Sequence, residues 1–115
     1  FGGKPISGYQ GLQFPLAQCH AELEAARLLN YKAASNFDRG LPYGSVANAA
    51  KLLAAQATAR ATERAMQTMG GMGYSKEYHV ERLWRDCRLF RFAPISEEMI
   101  LNYIAVHDLG MARSY

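Results

Sequence analysis

The most unusual local feature of the chain is the run Gln67-Thr68-Met69-Gly70-Gly71-Met72-Gly73-Tyr74, which holds three glycines in four residues. It follows a helical pattern and lacks the Lys-Ser/Thr pair of a P-loop, so it predicts neither a Walker nor a Rossmann phosphate cradle. One interpretation is a glycine cap that ends a helix and turns the chain. The other is a surface where bare backbone lets a ligand or another chain approach closely.

The titratable residues predict no metal site and no carboxylate dyad. His20, His79 and His107 are too scattered along the chain to form a pair of metal ligands. Glu97 and Glu98 are adjacent, and adjacent helical residues point about 100° apart, so the two carboxylates cannot share a proton. Acidic residues at the start of a helix are instead favoured by the helix dipole.

The two cysteines indicate neither a disulfide nor a zinc site. Cys19 and Cys87 are far apart in sequence and belong to no CxxC or His-spaced pattern. Buried, reduced thiols are therefore predicted. Because reduced thiols are typical of the cytoplasm, we expect a cytoplasmic protein.

The composition is typical of one globular domain. The chain has 115 residues, 50% of them hydrophobic and 20% charged, which is enough to bury a core without disulfides or metals. Its net charge of +3 is too small to indicate nucleic acid or an anionic membrane as a partner. No apolar run approaches the roughly 18 residues of a membrane span. Since the sequence begins at Phe1 without a methionine, we expect it to be the tail of a longer protein.

Hydrophobic spacing predicts four helices and no strand, and hence an all-α, antiparallel four-helix bundle. The predicted helices cover about 12–38, 45–69, 77–90 and 96–110. Their predicted inward residues are, in the same order, Leu12, Leu16, Cys19, Leu23 and Ala26; Val46, Ala49, Leu53, Ala57, Ala61 and Ala65; Val80, Leu83, Trp84 and Cys87; and Met99, Ile100, Tyr103, Ile104 and Leu109.

Four positions define the expected helix ends. Pro15 is expected either in the first turn of the first helix or at a kink in that helix, and Gly40 is expected at its end. Ser45 and Ser96 are expected to cap the second and fourth helices, because serine oxygens accept hydrogen bonds from the free N–H groups of a first turn. The inner face of the second helix is mostly alanine, which allows close packing, so we expect this helix at the centre of the bundle.

Residues 67–90, QTMGGMGYSKEYHVERLWRDCRLF, resemble the C-terminal helical domain of the acyl-CoA dehydrogenases. The family pattern there is Q-x-x-G-G-x-G-[YF]-x-x-E-[YF]-x-V-E-R-x-x-R-D-x-[KR]-x-x. The start of the chain is similar to the family's F-G-K-P-[LI]-x-x-[FY]-Q-x-x-Q-[FM]-x-[LM]-A. That likeness is carried by Lys4-Pro5-Ile6, Tyr9-Gln10, Gln13-Phe14 and Leu16-Ala17, so the resemblance covers essentially the whole chain.

The resemblance implies a flavoprotein of three parts: a helical N-terminal domain, a middle β domain and a C-terminal bundle. Residues 1–115 would be only the third part. In the family, the adenosine end of FAD reaches a neighbouring subunit at the glutamine and second glycine of the Q-x-x-G-G run. Those positions are Gln67 and Gly71 here, with Gly70 beside them as a further candidate.

The position of the usual catalytic base departs from the family pattern. Many family members place a glutamate eight residues beyond the aspartate of the R-D motif, in E-G-T-x-[QE]. Counting eight from Asp86 gives Pro94, and Ser96 and Glu98 then fall on the threonine and glutamine that touch FAD. Proline offers neither a carboxylate to take the α-proton of an acyl thioester nor an N–H to polarise its carbonyl. We therefore expect no catalytic residue in this segment.

Three explanations of the missing base stay open. Some family members carry the glutamate on a helix that would lie before Phe1. Alternatively, the alignment slips by three residues and Glu97 is the base. The third explanation is a partner subunit that has lost catalysis.

The resemblance implies an FAD-dependent oxidoreductase of fatty acid metabolism that dehydrogenates acyl-CoA thioesters. This segment would supply the tetramer interface and part of the FAD site, and it should be inactive alone. Expected partners are acyl-CoA and either further copies of the chain, as a dimer or tetramer, or a related subunit. The alternative is a non-catalytic helical subunit or interaction module derived from this fold.

Overall fold

The computed structural model describes residues 2–114, and in that range the chain folds into helices and turns without a strand. The predicted all-α helical bundle is confirmed. Its elements are α1 (Gln10–Asp38), α2 (Gly44–Met69), α3 (Gly71–Tyr74), α4 (Val80–Leu89) and α5 (Glu97–His107), with 3-10 turns at Ile6–Gly8 and Lys76–Tyr78.

The helix α2 lies at the centre of the bundle, as its alanine content predicts. It contacts α1, α3, α4 and α5. With α1 it forms an antiparallel hairpin along the 55 Å axis of the molecule. Its buried residues include Ala50, Ala55 and Ala57, whose small side chains let the neighbouring helices approach closely.

The two ends of α1 differ in how well the sequence predicts them. At the C-terminus, Gly40 adopts φ +66°, and its N–H donates to the Phe37 carbonyl while the Leu41 N–H donates to the Asn36 carbonyl. This is a Schellman motif, so the predicted stop is confirmed. At the N-terminus the helix begins at Gln10, which puts Pro15 in the second turn. The first-turn prediction is wrong, because the helix starts earlier than its apolar pattern does.

The start of α2 also departs from the sequence prediction. The N-cap position belongs to Tyr43, without a side-chain cap hydrogen bond, and Ser45 lies inside the first turn. The glycine at position 44 is packed beneath α5, because a Cβ there would lie 2.8 Å from the Tyr103 hydroxyl. The glycine therefore leaves room for the Tyr103 side chain, and the predicted serine cap is wrong.

The predicted helix over 77–90 is divided in two. His79 adopts a left-handed conformation with φ 58°, which separates the turn Lys76–Tyr78 from α4. A β-carbon makes this conformation unfavourable for most residues, although histidine is among those that visit it more often. Within α4, Glu81 and Arg85 form an i,i+4 ion pair at 3.5 Å.

The helix α5 begins as predicted, because the Ser96 Oγ accepts a hydrogen bond from the Met99 N–H at 3.3 Å. It ends at His107, before the predicted Gly110. Ile100 is its most deeply buried residue.

The core is narrow, so many predicted inward residues remain accessible. In the described range α1, α4 and α5 pack on α2 and not on one another, and each therefore buries a thin stripe. The residues predicted inward but exposed are Leu16, Leu53, Leu83, Trp84, Met99, Tyr103 and Leu109. Among residues 2–114, no helix is both long and apolar enough to cross a membrane.

Candidate functional site

The glycine corner, residues 70–73, joins α2 to α3. Gly70 ends α2 with φ 56° and ψ −136°, a backbone conformation that is open to glycine and strained for other residues. Gly73 is buried, and a Cβ there would lie 2.7 Å from the Met66 carbonyl oxygen. Both glycines are therefore required by the internal geometry of the chain.

Gly71 has no such internal reason. It is the first residue of α3 and it is exposed. Apart from its chain neighbours and its own helix backbone, a Cβ added there would meet no heavy atom of residues 2–114 within 4 Å. Its φ does not lie in the left-handed region. Nearby, Gln67 is exposed in the last turn of α2. The backbone at Gly71 is thus open to close approach from outside the chain.

The α4–α5 loop, residues 90–96, carries the other predicted site residues. Pro94 is exposed, and the Ala93–Pro94 peptide is cis. Ser96 is half-buried and Glu98 is exposed on the first turn of α5. The structure thus places Gln67, Gly70 and Gly71 at one corner, and Ser96 and Glu98 at the end of a separate loop.

Glu97 lies between those two residues but points into the protein. Its side chain is 9% exposed, and its carboxylate accepts hydrogen bonds from the Arg91 guanidinium at 2.6 and 2.8 Å. The Gln56 amide donates to the same carboxylate at 3.4 Å. The hydrogen bonds from Arg91 above all, then that from Gln56 and the nearby Lys51 charge, hold the pKa of Glu97 below its ordinary value. This carboxylate is therefore ionised and held inside the fold.

Lys51 fastens the same loop to α2. Its ammonium donates to the Phe90 carbonyl at 2.7 Å and to the Ile95 carbonyl at 2.6 Å. Sequence reasoning missed Lys51, because a single lysine forms no motif. The available signal was a cation within an otherwise alanine-rich, inward-facing helix.

An arginine-rich groove of about 710 Å³ runs between α1, α2 and α4. It brings Gln67 onto the same surface as Arg91, whereas the corner glycines, Ser96 and Glu98 do not line it. Arg60 is engaged by Glu22 at 2.7 Å. The other arginines were also missed from the sequence, because their spacing gives no recognisable pattern; the groove contains Arg60, Arg64, Arg88 and Arg91.

The side chains of residues 2–114 bring no three His, Cys, Asp or Glu groups together at a metal-binding distance. Cys19 and Cys87 are both buried free thiols. Burial raises the pKa of the Cys87 thiol, with a further contribution from the charge of Asp86. An elevated thiol pKa disfavours the nucleophilic thiolate, so Cys87 is a packing residue.

These features define a class of molecule: a helical bundle domain with one open glycine corner and one internally braced loop. Residues 1–107 match the family model described as acyl-CoA dehydrogenase, C-terminal domain. The chain therefore belongs to the acyl-CoA dehydrogenase family and represents its C-terminal domain.

Curated relatives agree with this assignment. The chain is 50% identical over 113 residues to the acyl-CoA dehydrogenase FadE12 of Mycobacterium tuberculosis. The aligned region covers 96% of this chain and 29% of the relative. It is 39% identical over 105 residues to the mitochondrial short/branched chain specific acyl-CoA dehydrogenase of Rattus norvegicus, covering 91% and 24%. The chain thus spans less than a third of the length of these relatives.

Two solved structures share the fold. Butyryl-CoA dehydrogenase from Megasphaera elsdenii superposes with a TM-score of 0.87 at 37% identity, covering 95% of this chain and 28% of the other. A chain solved in work on the electron transferring flavoprotein of Acidaminococcus fermentans gives 0.89 at 33% identity, covering 93% and 28%.

Proposed function

We propose that this chain is the C-terminal domain of an FAD-dependent acyl-CoA dehydrogenase that oxidises the α,β bond of an acyl-CoA thioester. The helical N-terminal domain and the middle β domain of the family would lie outside residues 1–115. The proposal is supported by relatives that are named acyl-CoA dehydrogenases and that align with almost the whole chain.

The observation that carries the proposal is the open backbone at Gly71. Gly70 and Gly73 are explained within the chain, whereas Gly71 leaves space that no atom of residues 2–114 fills. A glycine that its own fold does not require is typical of a close approach by a ligand or another subunit. This is the position at which the family pattern places the adenosine end of FAD.

The proposed donors and acceptors suit a flavin dinucleotide. The Gln67 amide can both donate and accept, and the Glu98 carboxylate can accept from an N–H or a hydroxyl group. Ser96 uses an oxygen lone pair for its helix cap, so its own hydroxyl hydrogen remains available to donate. Bound FAD would accept the hydride that leaves the β-carbon. The proposed cofactor contacts are thus Gln67, Gly70, Gly71, Ser96 and Glu98.

We also propose that the catalytic base lies outside this segment. Pro94 has no carboxylate and no N–H, and Glu97 has its carboxylate bound to Arg91 inside the fold. A general base must come within hydrogen-bond reach of the proton that it removes, which Glu97 could do only by breaking this ion pair. The base would then be upstream, and the 115-residue chain alone would be inactive.

A non-catalytic subunit of the same fold is the second candidate, and the proline at position 94 favours it. In that case the chain would retain flavin and oligomer contacts without a base in any part of the subunit.

Either candidate fits a self-associating or hetero-oligomeric protein, because apolar residues on the outer face of α1 are exposed: Phe14, Leu28 and Tyr31 are each more than 60% accessible. We propose a dimer or tetramer, and a cytoplasmic location.

The test is anaerobic bleaching of the flavin in the full-length protein by a panel of acyl-CoA thioesters. We expect bleaching in the wild type and in Glu97→Gln and Glu98→Gln, with the rate of each variant within about tenfold of the wild type. A flavin that stays oxidised until a second subunit is added would establish the non-catalytic alternative. A wild type that binds no flavin would exclude both candidates.

A further inference from the structure

Lys51 of α2 binds two helix ends that lie 39 and 44 residues further along the chain. Its ammonium donates to the Phe90 carbonyl, directly after α4, and to the Ile95 carbonyl, directly before the cap of α5. The last carbonyls of a helix have no partner within the helix, and a cation there is favoured by the helix dipole. One side chain from α2 therefore holds both ends of the α4–α5 loop.

A second tie closes the same loop. Besides their side-chain ion pair, Arg91 and Glu97 are joined through the backbone, where the Glu97 N–H donates to the Arg91 carbonyl at 3.2 Å. Gln56 of α2 donates to the Glu97 carboxylate. We call the four side chains of Lys51, Gln56, Arg91 and Glu97 the loop clamp.

The loop clamp holds the residues on both sides of Ser96. Ile95 is bound through its carbonyl by Lys51, and Glu97 is bound through its carboxylate by Arg91. The Ser96 hydroxyl oxygen accepts the cap hydrogen bond from the Met99 N–H, and the Ser96 carbonyl accepts from the Ile100 N–H at 3.1 Å. The direction of its remaining O–H is thus limited by backbone that Lys51 helps to fix.

We propose that Lys51 is a positioning residue for flavin binding, because it fixes the backbone that presents the Ser96 hydroxyl. This proposal rests on the proposed function. It assigns Lys51 no contact with flavin or substrate; its effect passes through the Ile95 carbonyl to the next residue. A lysine suits the position, since its compact ammonium carries several donors that can point at two separate carbonyls.

The experiment compares variants of the full-length protein after the flavin has been removed and titrated back. We expect Lys51→Met to raise the Kd for FAD about tenfold, in line with the loss of charge-assisted hydrogen bonds. It should also shift the visible absorption band of the bound flavin, and hydrogen exchange should accelerate in residues 92–97 but not in α1. Lys51→Arg keeps a cation and several donors but lacks the compact ammonium, so it should lose less affinity for FAD than Lys51→Met. The matched control is Lys32→Met, which removes an exposed lysine from α1 and should change nothing.

A double-mutant cycle tests the route through Ser96. If Lys51 acts through the serine hydroxyl, Lys51→Met in a Ser96→Ala background should lower FAD affinity by less than about twofold more. Independent, additive losses would overturn the proposal, and so would Lys51→Met protein with unchanged Kd and unchanged flavin spectrum. Should Lys51→Met fail to fold, Lys51→Gln, which keeps one amide donor group, carries the same comparison. A wild type without flavin overturns the proposed function as well, whereas a flavin-binding wild type with an indifferent Lys51→Met overturns this proposal alone.

Discussion

The glycine corner and the α4–α5 loop meet their hydrogen-bonding and packing needs in opposite ways. In the loop, the charged groups nearest the helix ends find partners within the chain: Arg91 with Glu97, and Lys51 with two carbonyls. At the corner, by contrast, the space that a Gly71 side chain would occupy contains no described residue outside its own helix backbone and chain neighbours.

The α4–α5 loop is therefore a structural element stabilised by its own chain, whereas the glycine corner is a surface open to a ligand or another subunit. Glu97 is a candidate base in the sequence, yet the structure explains its buried carboxylate as one partner of a structural ion pair. Gly71 has no side chain that could react, yet no steric contact or left-handed φ among residues 2–114 requires a glycine there. Residues whose presence the fold does not account for are therefore the better functional candidates in this domain.

The sharpest test of this contrast compares two glycines of the same corner. Gly73→Ala should destabilise the chain by about 2–3 kcal/mol, because the new Cβ would lie 2.7 Å from the Met66 carbonyl oxygen and backbone must move. Gly71→Ala is the matched control. It should be neutral or stabilising by up to about 1 kcal/mol, since alanine is favoured over glycine in a helix. Urea unfolding followed by circular dichroism measures both, and equal losses would abolish the distinction.

A smaller loss is expected from Glu97→Gln, which removes the charge that Arg91 binds. We expect about 1–2 kcal/mol of lost unfolding free energy at neutral pH, below the value for a fully buried pair because the Arg91 side chain is 40% exposed. Urea unfolding of the wild type and the variant provides the measurement. An unchanged unfolding free energy together with loss of flavin bleaching by several hundredfold would instead identify Glu97 as the base.

The same pair of proteins has a defined pH dependence. The folded pKa of Glu97 lies below its ordinary value of 4.5, so the ionised form favours the folded state. Its contribution is fully present above the unfolded pKa and is lost as the pH falls through the folded pKa. The unfolding free energies of the wild type and Glu97→Gln should therefore differ at pH 7 and become equal in acid. If the unfolding free energies still differ at the lowest pH, the charge of Glu97 is not the cause of the difference in stability.

The smallest effect is expected at the surface pair of Glu22 and Arg60, which links α1 to α2 at 2.7 Å. Hydrogen bonds from Arg60, then Gln18, lower the pKa of Glu22, but exposed pairs contribute little to stability and are screened by salt. Glu22→Gln should leave the urea midpoint close to that of the wild type, with any difference vanishing in 1 M salt. A loss as large as that of Glu97→Gln would show that exposure does not separate the two pairs.

Much of the fold could be predicted because helix signals are local. Apolar spacing, the serine before α5 and the glycine after α1 each act within a few residues. Two of the errors involve packing between segments that are distant in sequence. Ser45 is displaced from the cap because the helix starts at Gly44 beneath Tyr103. Leu53 is exposed, because the burial of α2 is set by the four helices that it contacts.

The candidate site divides in the same way. The glycine run is visible in the sequence, but the sequence cannot say which glycine the chain itself requires; that answer depends on the distance from Gly73 to Met66 and on the φ of Gly70. The loop clamp was invisible, because Lys51 and Phe90 are 39 residues apart. A contact of that sequence separation leaves no spacing signal in a single sequence.

Gly71→Val in the full-length protein tests whether Gly71 is kept for contact from outside this chain. Space at Gly71 is open and its φ is not left-handed, so we expect the variant to fold with its unfolding free energy within about 1 kcal/mol of the wild type. We expect the retained flavin after gel filtration to fall at least about tenfold, because a branched side chain would occupy the proposed approach path. If the Gly71→Val protein folds and keeps its full flavin content, Gly71 is not kept open for flavin contact.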